Sequence, residues 1–412
     1  MSKEPSVLLS GDRQVGADLS AWEQAGGGAG LRKALSDPDA ILAVVEASGL
    51  RGLGGGGFPT ARKWRFVAEQ GGGTDKHLIA NANEDEPGTF KDRVLLEQTP
   101  HGVIEGALIA ALATGVNDLV FYVNPREEAA VATMEQAVAQ WSGHLLRDDV
   151  EESLARPLRL RVVPSSGLYI GGEETAAIAS VAGGFPFPSA KPPYPAEQGL
   201  HGEPTLVNNV ETLANLPALL AHGAAWFRSL GRGEACGTKL YTLSGDVLNE
   251  GVFELPMGIT LRELVDDHGG GMLEGKRFKA VFTGGPSNTI LTRDDLDVPL
   301  DWESVKARDS HLGTGAMIVV SEGTGIVRRV SEYVDFFAEN SCGQCPSCKI
   351  GTRQISSLLQ RIDTGRGTRG DLDNLRGLCA MLPGSGRCGL IDGAVTVVRS
   401  SLHKFGGEYE AQ

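Results

Sequence analysis

The architecture of this chain turns on His77-Leu-Ile-Ala-Asn-Ala-Asn-Glu-Asp-Glu-Pro-Gly88. An apolar run, His77–Asn81, has the length of a strand and ends in asparagine. Three carboxylates and a Pro-Gly turn follow, and then a helical pattern over Asp92–Thr114. A strand that stops in a polar loop and passes into a long helix is half of a βα unit. The alternation continues on both sides, with strands expected at Leu119–Val123 and Leu158–Val163. Helices are expected at Thr60–Gln70, Glu127–Trp141 and Glu173–Ala182. Residues 49–235 therefore read as a doubly wound, Rossmann-like α/β domain whose ligand sites lie in loops at the strand ends.

The flanking regions have a different texture. Residues 1–48 read as an N-terminal extension with a turn-rich start and one helix, about Asp37–Ala47. Over 236–330, Lys239–Val247 and Gly251–Leu255 suggest a hairpin and Thr260–Asp267 a helix. Phe278–Phe282 and Ala316–Val320 add strands, which together suggest a small β-grasp-like α+β domain. Residues 331–412 are mostly helical by pattern. No internal repeat or low-complexity tail is visible.

With 412 residues the chain has room for two to four domains. Its 56 glycines gather in runs such as Gly54–Gly57, Gly71–Gly73 and Gly269–Gly271, as tight or anion-approaching loops require. A formal charge of −14 argues against a nucleic-acid surface. Met-Ser-Lys-Glu-Pro-Ser has no apolar core behind it, so no secretory signal is expected. The longest apolar stretch, around Val103–Val123, is interrupted by Glu105, Asn117 and Asp118. It reads as a buried helix running into a strand rather than a membrane span. Six cysteines, four of them in a ligand pattern, suit a reducing compartment. A cytoplasmic protein docked to something larger is expected.

The ligand pattern is Ser341-Cys-Gly-Gln-Cys-Pro-Ser-Cys-Lys349. Cys342, Cys345 and Cys348 can wrap one corner of an iron–sulfur cube, and Cys388, after 39 intervening residues, can close it. Zinc is the competing reading, although its sites usually use two separated pairs. Unligated thiols are a third.

Four further stretches carry chemistry. Gly49-Leu-Arg-Gly-Leu-Gly-Gly-Gly-Gly-Phe-Pro-Thr-Ala-Arg-Lys-Trp64 could bring backbone N–H groups to an anion, aided by a helix starting near Thr60. It fits neither a Rossmann GxGxxG nor a P-loop, and a flexible linker is the plain alternative. Asn81–Arg93 offers asparagine amides to a heterocycle and carboxylates to ribose hydroxyls, or else is a solvated acidic turn. In Tyr169-Ile-Gly-Gly-Glu-Glu-Thr-Ala176, the two glutamates also suit a helix start without any function. Lys191-Pro-Pro-Tyr-Pro195, followed by Val207-Asn-Asn-Val-Glu-Thr212, would fix a lysine and an aromatic on a rigid turn, or is a plain loop.

In this order, and ahead of C-x2-C-x2-C, these stretches closely resemble the flavin- and NADH-binding F subunit of respiratory complex I. That family includes the diaphorase subunits of NAD-reducing hydrogenases and NAD-dependent formate dehydrogenases. The resemblance covers about residues 35–405. It implies an FMN- and NADH-binding α/β domain, a β-grasp (SLBB-like) domain and a helical bundle holding one 4Fe–4S cluster. It places Gly52, Gly54, Gly55, Gly57 and Lys63 at the FMN phosphate side. Asn81, Asn83, Glu84, Gly172, Glu173, Asn208, Asn209 and Thr212 would line the flavin, and Tyr169 and Val207 join the cofactor-binding set. Phe58 and Phe66 would stack on adenine, with Lys191 and Tyr194 closing over it. Glu86 and Glu174 would position the dinucleotide, Glu174 at ribose hydroxyls, where a carboxylate repels a 2′-phosphate and favours NAD over NADP. Cys342, Cys345, Cys348 and Cys388 would bind the cluster, with Cys379 as a rival fourth ligand.

The chain departs from the family pattern at Leu53 (usually Arg), Gly56 (Ala), Asn83 (Asp) and Gly171 (Cys). The implied activity is that of a diaphorase subunit, passing hydride between NAD(H) and FMN and single electrons to the 4Fe–4S cluster. A flavin-free paralogue that keeps the cluster is the alternative. Residues 1–48 hold no cysteine, so the resemblance also implies a separate small thioredoxin-like 2Fe–2S subunit and a larger oxidoreductase beyond it.

Overall fold

The computed structural model describes residues 6–71 and 75–410. The start of the leader and most of the glycine run at 71–73 lie outside the described residues. Four parallel strands make the first sheet: β1 (His77–Ala82), β2 (Asp118–Val123), β3 (Arg159–Pro164) and β4 (Thr205–Asn209), in the order β3-β2-β1-β4. In register, His77 lies beside Asp118 and Thr205, so the β1, β2 and β4 strands end along one edge, where Asn81 neighbours Asn209. A parallel sheet must be covered on both faces. Leu78, Ala80, Leu119, Phe121 and Leu206 face the large core that contains the helices Pro100–Thr114 and Glu128–Trp141. Ile79, Val120, Tyr122 and Val207 point the other way, onto Ala177, Ile178 and Val181 of the helix Glu174–Val181.

Pro100–Thr114 is buried on nearly every side. Among the described residues no helix is long and apolar enough to cross a membrane. The one acid in this helix, Glu105, is fully buried and accepts hydrogen bonds from Trp22 Nε1 (3.2 Å) and from the amides of Gly28 (2.8 Å) and Leu31 (3.1 Å). It thereby serves the N-terminus of the helix Ala29–Ser36, whose own N-cap is a glycine with no side chain to offer.

The second sheet has the order β6-β5-β9-β7-β8, built from β5 (Thr238–Gly245), β6 (Gly251–Pro256), β7 (Phe278–Thr283), β8 (Leu291–Thr292) and β9 (Ala316–Ser321). β5 and β6 form the expected hairpin, and β5 runs parallel to β9 in the middle of the sheet. Helices Ile326–Glu339, Pro346–Asp363, Arg369–Met381 and Leu390–Lys404 pack around a separate apolar core.

Several expected elements differ in detail. Asp92–Thr114 is two helices, Lys91–Gln98 and Pro100–Thr114, because Pro100 lacks an N–H and pushes Thr99 out of helical backbone (φ −134°). The N-terminal region contains Leu19–Gln24 and Ala29–Ser36 as well as a helix at Ile41–Ser48, and Trp22, Leu31 and Ile41 join the first core. Leu145–Leu154 is a further helix. The 260s form one α turn, Leu261–Glu263, that continues as a π-helix over Leu264–His268. Thr205–Asn209, which as sequence reads as loop, is the edge strand β4.

Candidate functional site

Above the ends of β1 and β4 lies a cavity of about 640 Å³. Its wall takes Gly52, Gly54, Gly57, Phe58, Lys63, Asn81, Asn83, Glu84 and Glu86 from the first half of the first domain. Tyr169, Gly172, Glu173, Glu174, Val207, Asn208 and Asn209 come from its second half, and Cys388 from the C-terminal helices. Gly55, Phe66, Lys191, Tyr194 and Thr212 are outside the lining. The wall also holds residues to which the motifs give no role: Lys91 and Asp92 at a helix start, Ser287, Asn288, His311 and Thr314 from loops around the second sheet, and Asp392 and Thr396 beyond Cys388.

The glycine loop is a closed turn. Gly52 N donates to Phe58 O (2.8 Å), Gly57 N to Gly52 O (3.2 Å) and Thr60 N to Leu50 O (3.1 Å). Gly55 and Gly57 have φ of +127° and +59°, which side chains resist. A Cβ on Gly54 would lie 2.7 Å from Asn209 Cβ. Among the described residues, the N–H groups of Gly54, Gly55 and Gly56 have no hydrogen-bond partner. Leu53 is buried, and its N–H donates to Thr212 Oγ1 (2.8 Å), so Thr212 shapes the loop from behind. Nothing lies within 4 Å of a Cβ built on Gly56, so the alanine usual in the family would fit there.

Asn81 donates to Gly172 O (3.0 Å), tying the strand end to the Tyr169–Glu174 segment. Asn83 Nδ2 donates to Asp85 Oδ2 and Leu168 O, both at 3.0 Å. An aspartate could make neither bond, so the asparagine is matched to this surrounding. Gly171 is matched too: a Cβ there would be 2.4 Å from Ser166 Oγ. Glu84 is committed to structure, accepting from the amides of Lys91 (2.9 Å) and Asp92 (2.8 Å) at the start of Lys91–Gln98. Burial pushes the pKa of Glu86 up to about 7, although Ser287 Oγ (3.2 Å) and the Tyr169 hydroxyl both bond to it.

Glu173 caps the helix Glu174–Val181, accepting from the amides of Thr175 (2.8 Å) and Ala176 (3.0 Å). Glu174 sits between two cations, Lys63 at 2.9 Å and Lys191. Against the cost of burial, these lysines hold its pKa down at about 2. Phe58 and Phe66 are each 44% exposed and flank the Arg62 guanidinium at 5.7 and 5.8 Å, leaving apolar ring surface at the cavity mouth. Tyr194 is exposed.

Cys342, Cys345, Cys348 and Cys388 line a second, smaller hollow. Ser341 Oγ lies 3.2 Å from Cys348 Sγ, and Arg387 N–H points at Cys345 Sγ (3.4 Å). Gln344 Oε1 is buried there without a partner among the described residues. Cys379 lies apart from the hollow; it packs into the helical core, where burial raises its thiol pKa to about 12. Four thiols line one hollow, and among the described residues no three of these side chains are gathered closely enough to hold a single metal ion, which suits a cluster over a lone zinc ion. Cys388, Ile170 and Leu390 line both the hollow and the large cavity, so one thin wall separates the two.

Three family models cover the chain. The Nuo51 FMN-binding domain matches residues 45–218, the SLBB domain 240–291, and the NADH-ubiquinone oxidoreductase-F iron-sulfur binding region 328–412. The second NADH-quinone oxidoreductase F subunit of Rhizobium meliloti (strain 1021) is 42% identical over 412 residues, covering 99% of this chain and 97% of that protein. The chain belongs to the family of NADH-quinone oxidoreductase F subunits. NADP-reducing hydrogenase subunit HndC of Solidesulfovibrio fructosivorans is 39% identical, over 93% of this chain and 78% of that one. In the H2-reduced crystal structure of an NAD+-reducing [NiFe]-hydrogenase, one chain superposes with a TM-score of 0.83 at 37% identity. The match covers 92% of this chain and 63% of that one, so the present chain spans less than two thirds of its hydrogenase neighbour.

As a member of this family the chain is an oxidoreductase subunit with FMN and 4Fe–4S as its cofactors. The residues present fit both groups. Among the described residues, three free N–H donors at a glycine turn, beside a cavity that mixes apolar surface with asparagines and carboxylates, suit a phosphorylated heterocycle. Four thiols lining one hollow suit a cluster of several irons.

Proposed function

We propose that this chain handles NAD(H) for a larger redox complex, exchanging hydride with the dinucleotide and passing electrons singly to partner subunits. The observation that carries this is the shared wall of Ile170, Cys388 and Leu390 between the cavity and the thiol-lined hollow. When bound, the flavin supplies hydride chemistry towards the dinucleotide and single-electron chemistry towards the cluster. Gly52, Gly54, Gly55 and Gly57 would hold the phosphate end. Asn81, Asn83, Asn208, Asn209 and Val207 would line the flavin, with Gly172 and Tyr169 beside them. Glu84 and Glu173 act through the two helix starts they cap, and Thr212 through Leu53. Phe58 and Phe66 offer ring surface to adenine, with Lys191 and Tyr194 on the outer side. Glu86 and Glu174 position the dinucleotide rather than move protons, because hydride transfer needs alignment and no side-chain acid or base.

Cys342, Cys345, Cys348 and Cys388 would hold the cluster. We place domain limits at 49, 236 and 331, and we assign a separate thioredoxin-like 2Fe–2S subunit and a larger oxidoreductase as partners in the cytoplasm. The unpaired state of all six cysteines supports a reducing compartment.

The test is NADH-driven ferricyanide reduction by the purified full chain, together with iron analysis of two variants. Cys379→Ser should keep its iron and Cys388→Ser should lose it while still binding FMN. Iron lost from Cys379→Ser and kept in Cys388→Ser would reverse the ligand assignment. Absence of NADH-dependent turnover in chain carrying FMN would remove the function.

A further inference from the structure

Four buried ionic side chains run in a row from the cavity wall, at Lys91 and Asp92, to beneath the glycine loop, at Lys239, and the motifs of the site give none of them a role. Lys91, Glu211 and Lys239 are fully buried and Asp92 nearly so. Lys91 Nζ lies 2.6 Å from Asp92 Oδ1 and 2.9 Å from Glu211 Oε2; Lys239 Nζ lies 3.2 Å from the same Glu211 oxygen. The row crosses from the first domain to the second, since Lys239 stands on β5. Burying four charges costs several kcal/mol per ion before pairing, and apolar packing would serve stability as well. Such a row therefore invites a role beyond holding the fold.

Its far end supplies one. Lys239 Nζ donates to Leu53 O (3.2 Å). The amide of the same leucine donates to Thr212 Oγ1 (2.8 Å), so Leu53 is gripped on both sides. In a trans peptide the carbonyl and the following N–H point in opposite directions. With Leu53 O turned back to Lys239, the N–H of Gly54 is turned away from Lys239, and Gly54 itself lines the cavity. That N–H is one of the three in the loop without a partner among the described residues. Of the two lysines in the cavity wall, Lys63 is held by Glu174 at 2.9 Å and Lys91 by Asp92 and Glu211. The backbone donors of the loop are therefore the groups left to meet an anion.

We propose that Lys239, contributed by the second domain, is a positioning residue for the cofactor: it locks the Leu53–Gly54 peptide so that the glycine loop presents its N–H groups to the phosphate of FMN. This rests on the reading that the glycine loop holds the phosphate end. It gives the second domain a part in flavin binding that the motifs assign wholly to the first.

The experiment compares FMN with riboflavin, which has the same ring system without the phosphate. Dissociation constants are measured by flavin fluorescence on flavin-free full-length chain. The variants are Lys239→Met, Lys239→Met/Glu211→Gln (which leaves no unpaired buried carboxylate) and Gly54→Ala, with thermal unfolding confirming that each folds. The double variant keeps the comparison decisive if Lys239→Met alone does not fold. Loss of one charge-supported peptide orientation should weaken FMN by roughly tenfold or more in both Lys239 variants and leave riboflavin unchanged. Unchanged FMN affinity, or equal losses for FMN and riboflavin, would overturn the proposal. Gly54→Ala separates the two readings. If it weakens FMN while the Lys239 variants do not, only the role of Lys239 falls. If it too has no effect, the placement of the phosphate at the loop falls with it.

Discussion

Glu174 shows how much a single residue depends on neighbours that its motif does not name. Tyr-Ile-Gly-Gly-Glu-Glu puts two carboxylates at a helix start, and the sequence cannot say which one caps and which one faces a ligand. In the fold Glu173 turns back onto the helix amides, while Glu174 faces Lys63 and Lys191. Neutralising Glu174 would leave Lys63 without its anion and Lys191 with Glu173 alone, at the proposed dinucleotide mouth. Glu174→Gln is therefore expected to narrow the NADH/NADPH preference, read as the ratio of kcat/KM values in ferricyanide reduction. An unchanged ratio would take Glu174 out of that role.

Glu86 makes the opposite case, a carboxylate whose burial holds its proton to higher pH. Its folded pKa of about 7 lies above the ordinary value of 4.5, so the folded chain holds this proton longer than the unfolded chain does. Stability from this group is full below the unfolded value and is lost as pH rises through the folded one, on the order of 3 kcal/mol across the window. Urea unfolding of flavin-free chain at about pH 5 and about pH 8 should show a smaller fall for Glu86→Gln than for wild type. Equal falls would mean that Glu86 ionises as freely in the fold as outside it.

At the scale of elements, sequence periodicity is a good guide wherever an apolar run has clear polar limits and a poor one elsewhere. β1 and β2 read clearly because their runs are bounded by polar loops. β4 does not, because Thr205–Asn209 is five residues long and passes directly into a helix, with its asparagines serving the site. The two-helix break at Thr99–Pro100 is legible in principle from the proline alone. The cap supplied by Glu105 is not, since its partners Gly28 and Leu31 lie more than seventy residues away. Glu105→Ala should cost about 2–4 kcal/mol in urea unfolding, from two amides left unbonded and a cavity opened. A loss well under about 1 kcal/mol would show that the carboxylate is dispensable to that helix.

The whole molecule brings together what the sequence presents only as separate motifs. The glycine loop, the Asn81–Glu86 loop and the Glu173–Glu174 corner meet at the ends of parallel strands, as a doubly wound sheet requires. The thiol-lined hollow and the cavity share a wall because Cys388 lies two residues before the start of the helix Leu390–Lys404, whose first turn also lines the cavity. The second domain's loop contacts at Ser287, His311 and Thr314, and the Lys239 contact beneath the loop, are illegible as sequence. Each is a lone polar residue placed by tertiary packing alone.

If that shared wall separates two working cofactors, then electrons entering from NADH must arrive at the thiol-bound iron. Anaerobic addition of NADH to the purified holo-chain, followed by absorbance and low-temperature EPR, asks this directly. Flavin bleaching together with the signal of a reduced 4Fe–4S centre is the outcome expected. A flavin that bleaches while the iron stays oxidised under excess NADH and a low-potential mediator, or thiols that yield zinc in place of iron, would contradict it.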